Sequence, residues 1–91
     1  MMRNKDVINK FLQLLPAMSS NLYSTGHSLI NYSTCIAEWS DNCIYINITK
    51  YSRTTSKNQN LLRRSIPNNT IRIYCDNVPV GRRSLSVYNY E

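Results

Sequence analysis

The 91-residue sequence has few of the groups on which enzymes depend. It contains one His, the side chain most often used as a general base near neutral pH, and only two glycines, too few for a glycine-rich phosphate loop. Only five residues are acidic, and no two Cys or His residues are spaced like a pair of metal ligands. We therefore expect a protein that is not an enzyme and binds neither a metal nor a cofactor.

The three cysteines, Cys35, Cys43 and Cys75, each lie in a predicted strand. A nucleophilic thiol would need a base such as His27, which lies in a predicted connector, so only the tertiary fold could join them. A cysteine-based enzyme is the weakest of three hypotheses. An odd number of cysteines is typical of reduced thiols buried as small apolar side chains.

Long hydrophobic runs are also missing. No run approaches the roughly 18 apolar residues that a membrane span requires, and the first residues lack the pattern of a signal peptide. We expect a soluble, cytoplasmic protein with no membrane partner and no small-molecule substrate. A content of 42% hydrophobic and 18% charged residues indicates a folded chain, and 91 residues fit one domain, 1–91.

The net positive charge arises entirely from the second half of the chain. Residues 1–49 contain three basic and three acidic residues, whereas residues 50–91 contain eight basic and two acidic ones and account for the whole net charge of +6. Such an asymmetry favours a polyanionic partner, a nucleic acid or an acidic protein surface. The alternative is a solvated basic surface that only keeps the protein soluble.

The spacing of apolar residues predicts a helix over Asn4–Leu15, with an asparagine N-cap and a proline after its end. Residues 17–28 are a polar connector, either holding a short strand or mobile. Two runs rich in β-branched and aromatic residues, Leu29–Trp39 and Cys43–Tyr51, predict a β-hairpin with one apolar face.

A second helix is predicted over Lys57–Ile66, because Ser56 followed by Gln59 matches a capping box. Apolar and polar residues then alternate in Thr70–Cys75 and in Arg83–Tyr88, which predicts two more strands. The order helix, strand, strand, helix, strand, strand indicates an α+β domain with its helices packed on one face of an antiparallel or mixed sheet.

Basic residues collect where the second hairpin strand leads into the second helix. Hydroxyl-bearing neighbours and a helix N-terminus would favour a bound anion there, and tyrosines interleaved with arginines further along would offer stacking surfaces for bases. Helix capping and ordinary exposed strand positions are the alternative interpretations. The candidate binding residues are Lys50, Tyr51, Arg53, Lys57, Arg63, Arg64, Arg72, Arg82 and Arg83.

Two segments resemble a small domain that is common in tailed-phage genomes and has no assigned function. The first, Tyr32–Ala37, contains the pattern T-x-I-A, and the second, Ile46–Leu61, contains N-x-T-K-Y-S-x-T-T-S-x-x-Q. The similarity covers about a third of the chain and departs from the family at Asn58, where His is expected in many relatives. An activity that depended on that His would be missing here. The resemblance implies a phage or prophage origin and an α+β fold.

The leading hypothesis is a non-enzymatic phage-type binding protein that engages nucleic acid or a host nucleoprotein complex. Small phage proteins of this size are often inhibitors of host machinery, anti-CRISPR proteins included, so the expected role is inhibition of a bacterial defence system in the host cytoplasm. The alternative is a structural or oligomerising phage component that forms a homo-oligomer through its Tyr- and Ile-rich strands and leaves its basic face solvated.

Overall fold

The computed structural model describes residues 2–85, which form two helices and six strands. In chain order these elements are α1 (Asn4–Leu12), β1 (Pro16–Met18), β2 (Leu22–Thr25), β3 (Ser28–Asn31), β4 (Thr34–Ser40), β5 (Cys43–Asn47), α2 (Arg53–Ser65) and β6 (Ile71–Cys75). The predicted α+β class is therefore confirmed.

The six strands form one mixed sheet in sequence order, β1 to β6. Strands β1 to β5 are a meander in which each neighbour is antiparallel. Strand β6 is parallel to β5, with Cys43 opposite Ile71 and Asn47 opposite Cys75. A parallel pair needs a long crossover, and α2 provides it. The basic residues from Lys50 to Arg64 lie on this crossover.

The first helix is shorter than its hydrophobic pattern predicts. Val7, Ile8 and Phe11 recur at helical spacing and are fully buried, but the helix ends at Leu12 and Leu14 adopts the left-handed conformation, with φ 62°. The predicted N-cap is also wrong, because Asn4 is the first helical residue and its side-chain amide donates to Asn58. Apolar periodicity does not reveal where the chain must turn to enter the sheet.

The segment between α1 and β4 holds more strands than predicted. The polar connector contains β2, and the single strand expected over Leu29–Trp39 is divided by a turn at Tyr32 and Ser33, where Tyr32 has φ 56°. Within residues 2–85 the order is one helix, five strands, one helix and one strand, which differs from the predicted order. Strands of three or four residues are too short for alternation to separate them from loops.

The second helix begins four residues before its predicted start. Ser52 is the N-cap, and its hydroxyl accepts from the backbone N–H of Thr55 at 3.2 Å. The capping box predicted at Ser56 does not form, because the Gln59 amide instead donates to the carbonyls of Asn47 and Thr49, at 2.8 and 3.0 Å.

The sheet is covered on both faces. On one face, α1 and α2 contribute Ile8, Phe11 and Leu62 to a hydrophobic cluster with Ile36 and Ile46 of the sheet. The other face carries a second cluster, formed by Ile30, Cys35, Cys75, Val78 and Leu85. The chain after β6 covers this face without forming a strand up to residue 85, and the rest of the strand predicted over 83–88 lies outside the described residues.

Candidate polyanion-binding surface

The exposed side of α2 is basic. Arg53, Lys57 and Arg64 are spaced by four and seven residues, which places them on one side of a helix, and all three are exposed. Arg63, half-buried, lies next to this row. The helix contains no acidic residue, so no carboxylate on α2 balances these cations.

The buried side of α2 is polar over its first two turns. Thr55, Asn58 and Gln59 are each at most 5% exposed, and only Leu62 is a fully buried apolar residue of this helix. Polar groups in such positions require hydrogen-bond partners. The first half of α2 is therefore attached to the rest of the molecule by hydrogen bonds more than by apolar packing.

A chain of side-chain hydrogen bonds makes this attachment, running from the β1–β2 turn through α1, α2 and β3. The Ser19 hydroxyl donates to Asn4 at 2.6 Å, and Asn4 donates to Asn58 at 3.1 Å. Asn58 donates to Asn31, and Asn31 donates to Thr55 at 3.0 Å. This network fixes the position of α2, and with it the positions of the basic side chains on the opposite side.

The loop between β5 and α2 is held by a second set of hydrogen bonds. The Asn47 amide donates to the carbonyl of Cys35 and to the hydroxyl of Tyr51, at 3.0 and 2.9 Å, and Tyr51 donates to the carbonyl of Val78. The Thr49 hydroxyl accepts from the Val78 N–H at 3.0 Å. These bonds leave Lys50 exposed between two anchored neighbours, in the loop that precedes α2.

Two adjoining grooves bring the cations of the loop and the helix together. Lys50 and Arg63 line a groove of about 390 Å³ with Ser56 and Asn60. Asn60 and Arg63 also line the next groove, of about 360 Å³, with Lys57 and Arg64. We call these grooves together with the exposed row of α2, to which Arg53 belongs, the α2 basic face; its cations are Lys50, Arg53, Lys57, Arg63 and Arg64.

No carboxylate of residues 2–85 forms an ion pair with a cation of this face. Among residues 2–85 the one ion pair joins Arg3 to Asp6, at 3.9 Å on α1. The Glu38 carboxylate accepts from the backbone N–H of Leu85 at 3.1 Å, on the sheet face opposite the helices. The cations of the α2 basic face therefore have no acidic ion-pair partner in the described part of the chain, and a surface of this charge attracts polyanions.

Four of the predicted binding residues lie outside this face. Arg72 donates to the carbonyl of Ile66, at the end of α2. Arg83 donates to the hydroxyl of Tyr23 at 2.7 Å, and the Arg82 carbonyl accepts from Cys35, so both belong to the segment that covers the opposite side of the sheet. The hydroxyl of Tyr51, the fourth, takes part in the structural bonds described above.

The thiols of Cys35 and Cys75 are buried in the second hydrophobic cluster. Burial, with a smaller contribution from the Glu38 carboxylate, raises the pKa of Cys35 to about 12 and that of Cys75 to about 11. Both therefore stay protonated at neutral pH, whereas a nucleophilic cysteine needs a lowered pKa. His27 lies exposed in the turn between β2 and β3. No cluster of residues able to hold a metal ion occurs within residues 2–85.

A third cavity, not predicted from the sequence, adjoins the α2 basic face. It has a volume of about 410 Å³, and we call it the Tyr32 cavity. Its wall residues are Tyr32, Ser33, Lys50, Tyr51, Ser52 and Val80, and its buried residues are Asn31, Thr34 and Thr55. Its walls come from three distant segments, so no local sequence pattern predicts it. A helical wheel of α2 would have placed Thr55 and Asn58 on the buried side of the helix. This was the one feature of the sequence that pointed to polar groups beneath α2.

No known protein family, no curated protein and no solved structure matches this chain. The longest helix in the described part of the chain, α2, has 13 residues, and none there has the length and apolar character needed to cross a membrane.

Proposed function

We propose that this chain is a non-enzymatic, phage-type binding protein whose α2 basic face engages nucleic acid or a nucleoprotein complex, and that it inhibits a bacterial defence system in the manner of an anti-CRISPR protein. It acts in the cytoplasm of the bacterial host. The observation that carries the binding proposal is the groove shared by Lys50 and Arg63, which joins the cations of the loop and of the helix into one surface.

The chemistry of this surface suits a phosphate backbone. Its five cations lie on a loop and a helix that are both anchored by buried hydrogen bonds, so the backbone of these segments loses little conformational entropy on binding. If each cation displaces one counterion, the logarithm of the affinity falls with the logarithm of the salt concentration with a slope of about 3.5 for single strands and about 4.5 for duplexes.

The proposal is tested with the double variant Arg63→Glu/Arg64→Glu. Binding to labelled single- and double-stranded DNA and RNA is measured across a salt series. We expect the variant to bind at least tenfold more weakly than the wild type at low salt, with a slope smaller by about 1.4 to 1.8, because two phosphate contacts are lost.

The matched control is Lys5→Glu/Lys10→Glu, which makes the same change of net charge on α1. This control should keep most of the wild-type affinity, because its residues lie outside the α2 basic face. An equal loss of affinity in both double variants would contradict the assignment of the face. Inhibition is measured in bacteria whose CRISPR system targets a plasmid, where only the α2 variant should fail to protect the plasmid.

An oligomerising phage component is the second candidate, and strand β6 favours it. Within residues 2–85 this strand forms an edge of the sheet, and Ile71 and Tyr74 on it are 61% and 38% exposed. An unprotected edge strand is a template for pairing with another chain. The mass of the protein in solution distinguishes the two: a stable homo-oligomer with negligible affinity for nucleic acid at physiological salt would replace the first proposal.

A further inference from the structure

The Tyr32 cavity lies where three parts of the chain meet: the turn between β3 and β4, the loop between β5 and α2, and the segment around Val80. Its volume of about 410 Å³ falls within the range of about 300 to 1,000 Å³ that is usual for ligand sites. Because the cavity opens beside the α2 basic face, a ligand could occupy both at once.

The walls of the cavity combine apolar surface with a positive charge. Tyr32 is 61% exposed and Val80 is 74% exposed, although large hydrophobic residues of this kind are usually buried in a core. The exposed Lys50 and the hydroxyls of Ser33 and Ser52 lie on the same cavity. An aromatic ring with an ammonium group and hydroxyls nearby is suited to a ligand that is itself aromatic and anionic.

The buried part of the cavity is fixed before any ligand arrives. Asn31 and Thr55 are 1% and 5% exposed and bond to each other at 3.0 Å. The Thr34 hydroxyl accepts from the N–H of Gly81 at 2.9 Å, which holds the segment of Val80 in place. The Tyr32 N–H donates to the carbonyl of Asn21 at 2.8 Å and holds the turn. A preformed site loses little conformational entropy when it is filled.

Lys50 connects the cavity to the α2 basic face, because it lines both the Tyr32 cavity and the groove that contains Arg63. A strand whose phosphates follow the basic face would therefore have a base at the opening of the cavity. We propose that the Tyr32 cavity is a subsite for one unpaired nucleotide, with its base against Tyr32 and Val80 and its phosphate at Lys50. This inference rests on the proposed function and adds a preference for single strands.

Single strands are expected to bind better because their bases are free to stack. A base in a duplex is paired and stacked on its neighbours, whereas an unpaired base can leave the strand and lie against an aromatic side chain. The cavity offers a binding surface that only the unpaired base can reach. A duplex would contact the α2 basic face alone.

The experiment measures the binding of a labelled 12-nucleotide single strand and of a hairpin duplex to the wild type, to Tyr32→Ala and to Tyr32→Phe. We expect the wild type to prefer the single strand. Tyr32→Ala should weaken binding of the single strand about tenfold, the usual loss for one stacked base, and leave duplex binding unchanged. Tyr32→Phe, which keeps the ring, should bind like the wild type.

The matched control is Tyr74→Ala, which removes an exposed tyrosine from β6, outside the cavity. Thermal unfolding of each variant checks that the fold is intact. We expect it to be, since both rings are at least partly in solvent. Equal losses in Tyr32→Ala and Tyr74→Ala, or equal losses for single strand and duplex, would overturn the subsite.

The two proposals fail in different ways. If duplex and single strand bind with equal affinity and Tyr32→Ala has no effect, while Arg63→Glu/Arg64→Glu abolishes binding, the subsite is wrong and the α2 basic face remains. If no nucleic acid binds to the wild type even at low salt, both the subsite and direct nucleic-acid binding are wrong, and the face is left for an acidic protein partner.

Discussion

Asn58 occupies a position where a helix usually presents an apolar residue to the core. It is 2% exposed and bonds to Asn4 and to Asn31, so one side chain connects both helices with β3. Such a network stabilises only when all its members are satisfied, and losing one member leaves the others buried without a partner. At the scale of residues, buried hydrogen bonds therefore position the helix that carries the α2 basic face.

Replacing Asn58 with alanine should lower the free energy of unfolding by about 2 to 4 kcal/mol, because Asn4 and Asn31 each lose a hydrogen bond in a buried or half-buried position. Urea denaturation measures the loss. The control is Asn60→Ala on the exposed side of the same helix, where the Asn60 side chain accepts a hydrogen bond from Arg63. Its free energy of unfolding should stay within about 0.5 kcal/mol of the wild-type value. Similar losses in the two variants would contradict the structural role of the network.

Helix α2 is the element on which the site depends. Its start at Arg53 rather than Lys57 adds a turn, which places Arg53 in line with Lys57 and Arg64. A start at Lys57 would have left Arg53 in the loop. The start is set by Ser52, whose hydroxyl caps the helix, and by Gln59, whose amide bonds to the preceding loop.

Removing the cap in Ser52→Ala should therefore destabilise the protein by about 1 kcal/mol, the usual cost of losing a serine N-cap. Ser56→Ala is the matched control, since Ser56 lies within the helix and alanine there has the higher helix propensity. The free energies of unfolding of both variants are compared with that of the wild type. A larger cost for Ser56→Ala would mean that the helix begins at the capping box after all.

At the scale of the whole molecule, the two faces of the sheet are covered by different parts of the chain. Both helices and the α2 basic face lie on one side, while the other side is closed by the chain from Val78 to Leu85 over Cys35 and Cys75. The excess positive charge of the second half is thereby divided between two surfaces, because Arg82 and Arg83 belong to the closing segment. Reversing the α2 charges should consequently change binding without opening the second cluster.

Because of the buried thiols, the stability of the whole fold should decrease at alkaline pH. The folded state raises the pKa of Cys35 from 9.0 to about 12 and that of Cys75 to about 11, mainly through burial. Above pH 9 the unfolded chain loses thiol protons that the folded chain keeps, so ionisation favours unfolding. Stability should be retained below about pH 9 and fall as the pH rises towards 11 or 12.

Urea denaturation at pH 8.0 and pH 10.5 tests this dependence in the wild type and in Cys35→Ala. All titrating groups other than Cys35, Cys75 included, are present in both chains, so the variant should lose less stability than the wild type between the two pH values. A decrease of the same size in both chains would show that Cys35 does not contribute.

The sequence by itself determined the features that depend on local pattern. Helical spacing located α1, two runs rich in β-branched and aromatic residues located the hairpin of β4 and β5, alternation located β6, and counting placed the net positive charge after residue 49. These features follow from neighbouring residues, whose periodicity records which side faces the core.

Only the tertiary structure decided which distant residues meet. Lys50 and Arg63 share a groove because β5, the loop and α2 fold against each other, and Tyr32 and Val80 share a cavity although 48 residues separate them. The same holds for the inward position of Asn58 and for the placement of Arg83 away from α2. Long-range hydrogen bonds and packing fix these arrangements, and neither leaves a periodic signal in the sequence.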